Sequence, residues 1–192
     1  MSDPQAAVNW LWQSGAPHET LEPGNRKALR DMATESTLKL NTLSAIATLL
    51  AFVVVVLAIG IFIGMQTAPG EWYRALEKPP FNPPNWIFGP VWTVLYVFIA
   101  VAGWRTFRQA PGSVAVKLWV AQMVLNWTWS PVFFAFHQLW FALVILLGML
   151  AAILFFIVDR WQLDRTAALL FCPYAAWVGF AGILNLSLAL LN

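Results

Sequence analysis

Charge is scarce in this chain. Of its 192 residues only 10% are Asp, Glu, Lys or Arg, against about 25% in an average soluble domain. Such a composition cannot cover a water-facing surface, so lipid must solvate much of the molecule. Cysteine is nearly missing too. Cys172 stands alone, which excludes an internal disulfide and any Cys-rich metal site. Its setting in an apolar stretch before Pro173 reads as a small buried residue. Histidine occurs twice: His18 falls in a polar N-terminal stretch and His137 in a predicted turn, so no His cluster is expected to hold a metal. No Ser-His-Asp set and no glycine-rich phosphate cradle is present. The net charge of +2, without a basic stripe, gives no reason to expect nucleic acid. No cleavable signal is expected, because the first apolar run begins only near Leu40.

What the chain has instead is hydrophobic length and aromatic rings. Hydrophobic residues make up 60%, with twelve Trp and twelve Pro. The few charges divide it into apolar stretches. Leu40 to Gly70 is charge-free, and 43–65 fits one spanning helix. A second helix is predicted over about 88–106, with Pro90 in its first turn, where a missing N–H costs little. The 41 residues from Leu118 to Val158 carry no formal charge. That length is about twice the hydrocarbon thickness as helix, so it must fold as a hairpin. The break belongs at His137-Gln138, giving helices over about 114–136 and 139–158. A fifth follows over 166–191. Pro131 and Pro173 inside them should kink the helices or open backbone bonds. The predicted architecture is an all-α integral membrane protein, a five-helix bundle over 40–192 preceded by a polar extension, 1–39.

Nine Lys and Arg fall on the N-terminal side of this topology and only Arg74 and Lys78 on the other. The positive-inside rule then puts the N-terminus in the cytoplasm of a bacterial inner membrane, with an outer membrane as the alternative location. In the extension, Trp10 and Trp12 are apolar anchors for a partner or a membrane surface, set against the plainer reading of a disordered tail; Arg26 to Leu40 suits a short amphipathic helix. Gly60-x-x-x-Gly64 and Gly179-x-x-Gly182 permit close helix contacts within the chain or with another protein.

The connector over 67–87 is long, aromatic and stiffened by Pro79, Pro80, Pro83 and Pro84. It reads either as a binding lid, pre-ordered by proline, or as an interfacial aromatic belt. Trp92 and Tyr96 share one helical face. Gln122, Asn126 and Ser130 make one polar stripe, which points inward either to line a site or to join helices by hydrogen bonds. Trp177, Ala181 and Leu184, with Asn185, can line an inner face of the last helix. Together these faces suit a large, flat, mostly apolar ligand.

The order of motifs resembles one family. Trp72-Tyr73, Leu76-Glu77-Lys78-Pro79, Asn82-Pro83-Pro84, Trp86, Phe88-Gly89-Pro90, Trp92 and Leu95-Tyr96 are similar to the TspO/MBR family, the tryptophan-rich sensory protein and translocator protein group. So are Gln122, Leu125-Asn126, Trp129-Ser130-Pro131, Phe133-Phe134, Pro173-Tyr174, Trp177, Phe180-Ala181 and Leu184-Asn185. The resemblance implies a five-helix, usually dimeric membrane receptor or carrier, with a sensory or regulatory role open to it, that binds tetrapyrroles such as protoporphyrin IX and haem, sterols, and synthetic benzodiazepine-type ligands, with no cofactor required. It implies ligand-binding residues at Trp72, Tyr73, Pro83, Trp92, Tyr96, Asn126, Trp129, Ala176, Trp177, Phe180 and Ala181, with Trp92 and Asn126 facing the ligand most directly. Two further roles stay open on this reading: light-dependent oxidative breakdown of porphyrin, and a structural subunit of a larger membrane complex. Between Asn185 and Asn192 there is no Tyr followed by Lys or Arg, so the sterol-recognition pattern of animal members is missing.

Overall fold

The computed structural model describes residues 23–67 and 69–192; Trp10, Trp12 and His18 lie outside them. The described residues are helical, with no strand. In order they form α1 (Pro23–Gln66), a short α2 (Glu71–Ala75), a 3-10 turn (Asn85–Ile87), α3 (Phe88–Gln109), α4 (Val114–Ser130), a π turn (Pro131–Ala135), α5 (Leu139–Arg160) and α6 (Arg165–Leu191).

Helices long and apolar enough to cross a membrane number four among the described residues: those within Leu29–Gln66, Asn85–Gln109, Leu139–Arg160 and Arg165–Leu191. The predicted third crossing differs. Its α-helix stops at Ser130 after 17 residues. Pro131 follows, has no N–H to donate, and the backbone widens into a π turn in which Phe136 N–H bonds to the Pro131 carbonyl at 3.0 Å. His137 then takes a left-handed φ of 57°, and α5 starts two residues on. α6, by contrast, continues through Pro173.

The first helix begins at Pro23, not near residue 43. From Arg26 to Leu40 the residues are polar good helix formers, with no Gly or Pro to stop them. Glu35 and Lys39 pair at 2.8 Å one turn apart, and Thr34 and Thr37 return their hydroxyls to carbonyls four residues back. Arg26 to Leu40 is helical, as its composition suits, and runs on into the apolar stretch without a break. The chain divides into two units, 1–48 and 49–192, and α1 contributes to both.

Within the second unit the core lies among α3, α4, α5 and α6. Ile99, Met123, Leu146, Met149, Ile153, Phe156, Phe171 and Tyr174 are fully buried there, and Phe156 and Phe171 stack at 4.0 Å. Gly103 lets α3 and α4 close: Trp119 lies across it and donates its indole N–H to the Ile99 carbonyl at 2.8 Å. A side chain there would collide with that ring. From α1 only a seam of Phe52, Val53 and Val56 joins this core, with Gly60 pressed on Tyr96. The outward residues Val94, Val144, Phe155, Leu169 and Ile183 are apolar and exposed, which costs nothing in lipid.

One charged cluster fixes the turn between α5 and α6. Asp164 is buried, caps α6 by accepting the Ala167 N–H, and accepts three bonds from Arg105 and one from Gln109. Burial pushes its carboxyl up, and the Arg105 pair with these hydrogen bonds more than reverses that, leaving it below the usual carboxylate range.

Of the small-residue pairs, Gly60 makes the expected close contact. Gly64, Gly179 and Gly182 have no atom within 4 Å of where a Cβ would stand.

Candidate functional site

A cavity of about 560 Å³ opens between the C-terminal turns of α1, the start of α3, the end of α4 with its π turn, and the C-terminal half of α6. That volume lies within the range of about 300–1,000 Å³ usual for small-molecule sites. Its walls are mostly aromatic and aliphatic. Trp92, Tyr96, Phe88, Trp129, Phe133 and Phe134 supply rings; Asn85, Thr93, Asn126, Ser130, Asn185 and Thr67 add polar atoms. Gly64 and Gly89, with open space beside them, flank the side where α1 and α3 part.

Six of the residues named from sequence come together here: Tyr73, Trp92, Tyr96, Asn126, Trp129 and Ala181. Trp92 and Tyr96 lie one turn apart with centroids 5.4 Å apart, as their spacing requires. The other five lie elsewhere. Trp177 packs edge-on against Phe88 at 5.6 Å and beside Phe180, with its indole N–H buried and without a partner among the described residues. Phe180 meets Phe81 of the connector. Ala176 faces outward and is exposed. Pro83 is half-buried in the connector, and its carbonyl accepts the Asn82 amide. Trp72 stacks on His137 at 4.0 Å and 17°, so His137 is more than a solvated turn residue. Spacing along α6 puts Trp177 near the Ala181 face, but its bulk is taken up by Phe88, which itself lines the cavity.

The connector is held in place at several points. Tyr73 is buried against Phe133 and Phe134 and donates to the Asn82 side chain at 3.2 Å. Burial raises its hydroxyl pKa, and the Asn82 bond offsets part of that. Lys78 bends back to the Arg74 and Leu76 carbonyls and lies 4.9 Å from the centre of the Tyr73 ring. Those bonds direct it into the connector itself. Asn192, the last residue, closes a two-bond clip on the Glu77 backbone, accepting from its N–H at 2.9 Å and donating to its carbonyl at 3.1 Å. Nothing in the spacing of the sequence announces that clip, because its partners are 115 residues apart.

Asn126 does not simply face the cavity. Its carbonyl oxygen accepts from the Tyr96 hydroxyl at 2.9 Å, and its amide nitrogen donates to Tyr174 at 3.0 Å. Tyr174 passes its own proton to Gln122 at 2.9 Å. The polar stripe therefore serves both functions suggested for it. Gln122 is sealed behind the wall as helix glue, while Asn126 and Ser130 reach the cavity.

Fold and cavity together define a multi-pass integral membrane protein with an aromatic-walled site beneath an ordered connector. The chain belongs to the TspO/MBR family, whose model matches residues 51–191. It is 39% identical over 140 residues to the translocator protein of Bos taurus, covering 67% of this chain and 80% of that one. To the tryptophan-rich protein TspO of Archaeoglobus fulgidus it is 36% identical over 157 residues, covering 80% and 99%. To protein CrtK of Rhodobacter capsulatus it is 33% identical over 133 residues, covering 67% and 83%.

Proposed function

We propose that this protein is a membrane receptor or carrier for a flat, mostly apolar ligand of the tetrapyrrole class, held in the cavity between α1, α3, α4 and α6. The observation that carries the reading is the wall itself: rings from α3, α4 and the π turn converge on a cavity of ligand size with few polar atoms. A porphyrin gains most from such a surface, by stacking on Trp and Tyr and by leaving water. Arg74, exposed on the connector, is the cation available to its carboxylates, since Lys78 is engaged with its own loop.

In this reading the chain crosses the membrane five times. α4 with its π turn, Val114 to Ala135, makes the remaining crossing, a run long enough for the hydrocarbon core. The Lys and Arg distribution puts the N-terminus in the cytoplasm and the connector on the far side. A homodimer is the expected assembly.

Titration with protoporphyrin IX, followed by tryptophan quenching, tests the site. Trp92→Leu should weaken binding about tenfold or more, whereas Trp177→Leu, outside the cavity, should change it by less than about threefold. Equal effects of the two would remove the cavity assignment.

A further inference from the structure

The cavity's inner polar groups are joined in a hydrogen-bond chain whose direction is fixed from one end. Gln122 is fully buried and donates its amide to the Trp119 main-chain carbonyl at 2.9 Å. A carbonyl oxygen only accepts, so Gln122 must present its own oxygen to the next member. Tyr174, also fully buried, must therefore donate to it. Having spent its proton, the Tyr174 oxygen accepts from Asn126, and the Asn126 oxygen in turn accepts from Tyr96. Met149 sulfur, 3.2 Å from the Tyr174 hydroxyl, is too weak an acceptor to compete with the amide oxygen. The chain ends at Tyr96, which lines the cavity with its proton already directed inward.

The neighbouring polar groups are spent in the same sense. Thr67 donates to the Ile63 carbonyl, so Ser130 is the donor in the Ser130–Thr67 bond. Trp129 gives its N–H to Asn185, whose amide nitrogen is turned to the Leu139 carbonyl. Free lone pairs remain on this wall, while its hydroxyl and indole protons are committed. The cavity-lining side-chain groups that donate to no partner among the described residues, on Asn85 and Trp92, belong to the 3-10 turn and the opening turns of α3, and the amides of Asn126 and Asn185 each keep a second N–H beyond the one bonded.

We propose that the inner wall of the cavity recognises hydrogen-bond donors, so that a favoured ligand carries an N–H or O–H group on a flat apolar frame, and that Gln122 sets this preference from behind the wall as a positioning residue. The inference rests on the cavity being the ligand site. A ligand presenting only carbonyl or ether oxygens to the Tyr96 and Ser130 hydroxyls, whose protons are spent, would leave acceptor facing acceptor there and lose binding.

Carbazole and dibenzofuran are matched probes: the same flat tricyclic frame, with an N–H in one and an ether oxygen in the other. Equilibrium dialysis against the detergent-solubilised protein, with protein-free micelles of the same detergent as reference, gives the affinity of each corrected for partitioning. Carbazole should bind about tenfold more tightly, the equivalent of about 1.4 kcal/mol and one hydrogen bond. In Gln122→Met the anchor is gone, Asn126 is free to turn, and Tyr96 can offer its proton to the cavity. The carbazole preference should then fall to less than about threefold. The ratio is the readout because a loosened fold weakens both probes alike. Equal binding of the two probes by the unaltered protein overturns the inference, with protoporphyrin IX binding retained to show that the cavity reading survives. An undiminished preference in Gln122→Met overturns the role of Gln122. Failure of the protein to bind either probe or protoporphyrin IX overturns both the inference and the site. If Gln122→Met does not fold, the comparison in the unaltered protein decides the preference, and Gln122→Glu, which keeps an acceptor toward Tyr174, should retain it.

Discussion

Gly60 is the point at which α1 is seated on the rest of the bundle, and replacing it tests that seating. A Cβ at this position would stand 2.3 Å from Cε2 of Tyr96. To restore ordinary contact at 3.4 Å the ring must retreat by about 1.1 Å, the difference between those two distances. The Tyr96 hydroxyl is 2.9 Å from Asn126, so a retreat of that size takes it out of hydrogen-bond range. Overpacking costs about 1–3 kcal/mol, and the lost bond about 0.5–1.5 kcal/mol. Against this stands the gain of about 1 kcal/mol from replacing Gly by Ala within a helix. The net expectation for Gly60→Ala is a loss of about 1–3 kcal/mol, or a fall of about 2–12 °C in unfolding temperature. Gly64, one turn on, has nothing within 4 Å of its would-be Cβ. Gly64→Ala should therefore be neutral or stabilising by up to about 1 kcal/mol. Tryptophan-monitored thermal unfolding of the two variants in one detergent reads the difference directly. Equal stability of Gly60→Ala and Gly64→Ala would refute the packing of α1 against Tyr96.

Asp164→Asn should cost about 1–3 kcal/mol at neutral pH, less than for a wholly buried pair because Arg105 is one-third exposed. Because the Asp164 carboxyl is held below its ordinary value of 3.8, its contribution is complete above about pH 4 and is lost as pH falls through the lower folded value; chemical denaturation at pH 3 and pH 7 should show a smaller acid-dependent loss in Asp164→Asn than in the unaltered protein. Asn192→Ala removes both bonds to the Glu77 backbone, so stopped-flow dissociation of protoporphyrin IX should accelerate about two- to tenfold, with little change in unfolding temperature. His137→Ala removes the stack on Trp72 and should loosen the connector, seen as faster hydrogen exchange over 71–76.

Where the sequence could be read, the reason was charge and proline. Asp159, Arg160, Asp164 and Arg165 bracket the α5–α6 turn, and the helices end where those charges sit. His137-Gln138 falls between the π turn and α5, at the one break an overlong apolar run demanded. Arg26 to Leu40 was legible as a short amphipathic helix, but its fusion with the apolar run into one helix from Pro23 was not, because nothing in hydropathy marks the absence of a break between them. The 17-residue length of α4 was not legible either; Pro131 announces a disturbance, but whether it bends, breaks or widens the helix depends on its neighbours. In the site, four-residue spacing identified faces correctly but not depth. Gln122 shares a face with Asn126 yet lies one layer behind the wall. Trp177 shares a face with Ala181 yet is occupied by Phe88. The family motifs share this limit, since they mark positions along the chain and leave open which atom reaches the cavity.

Ala181 offers the most direct test of the central claim, that the cavity is the tetrapyrrole site. It lines the cavity and is 8% exposed, so Ala181→Phe would fill the space a ring system needs while keeping the wall apolar. Titrating protoporphyrin IX into the purified protein and following the Soret band should give a saturable red shift in the unaltered chain. Ala181→Phe should abolish that saturable shift while unfolding at a temperature no lower than the unaltered protein. A folded Ala181→Phe that saturates with unchanged affinity would contradict that claim.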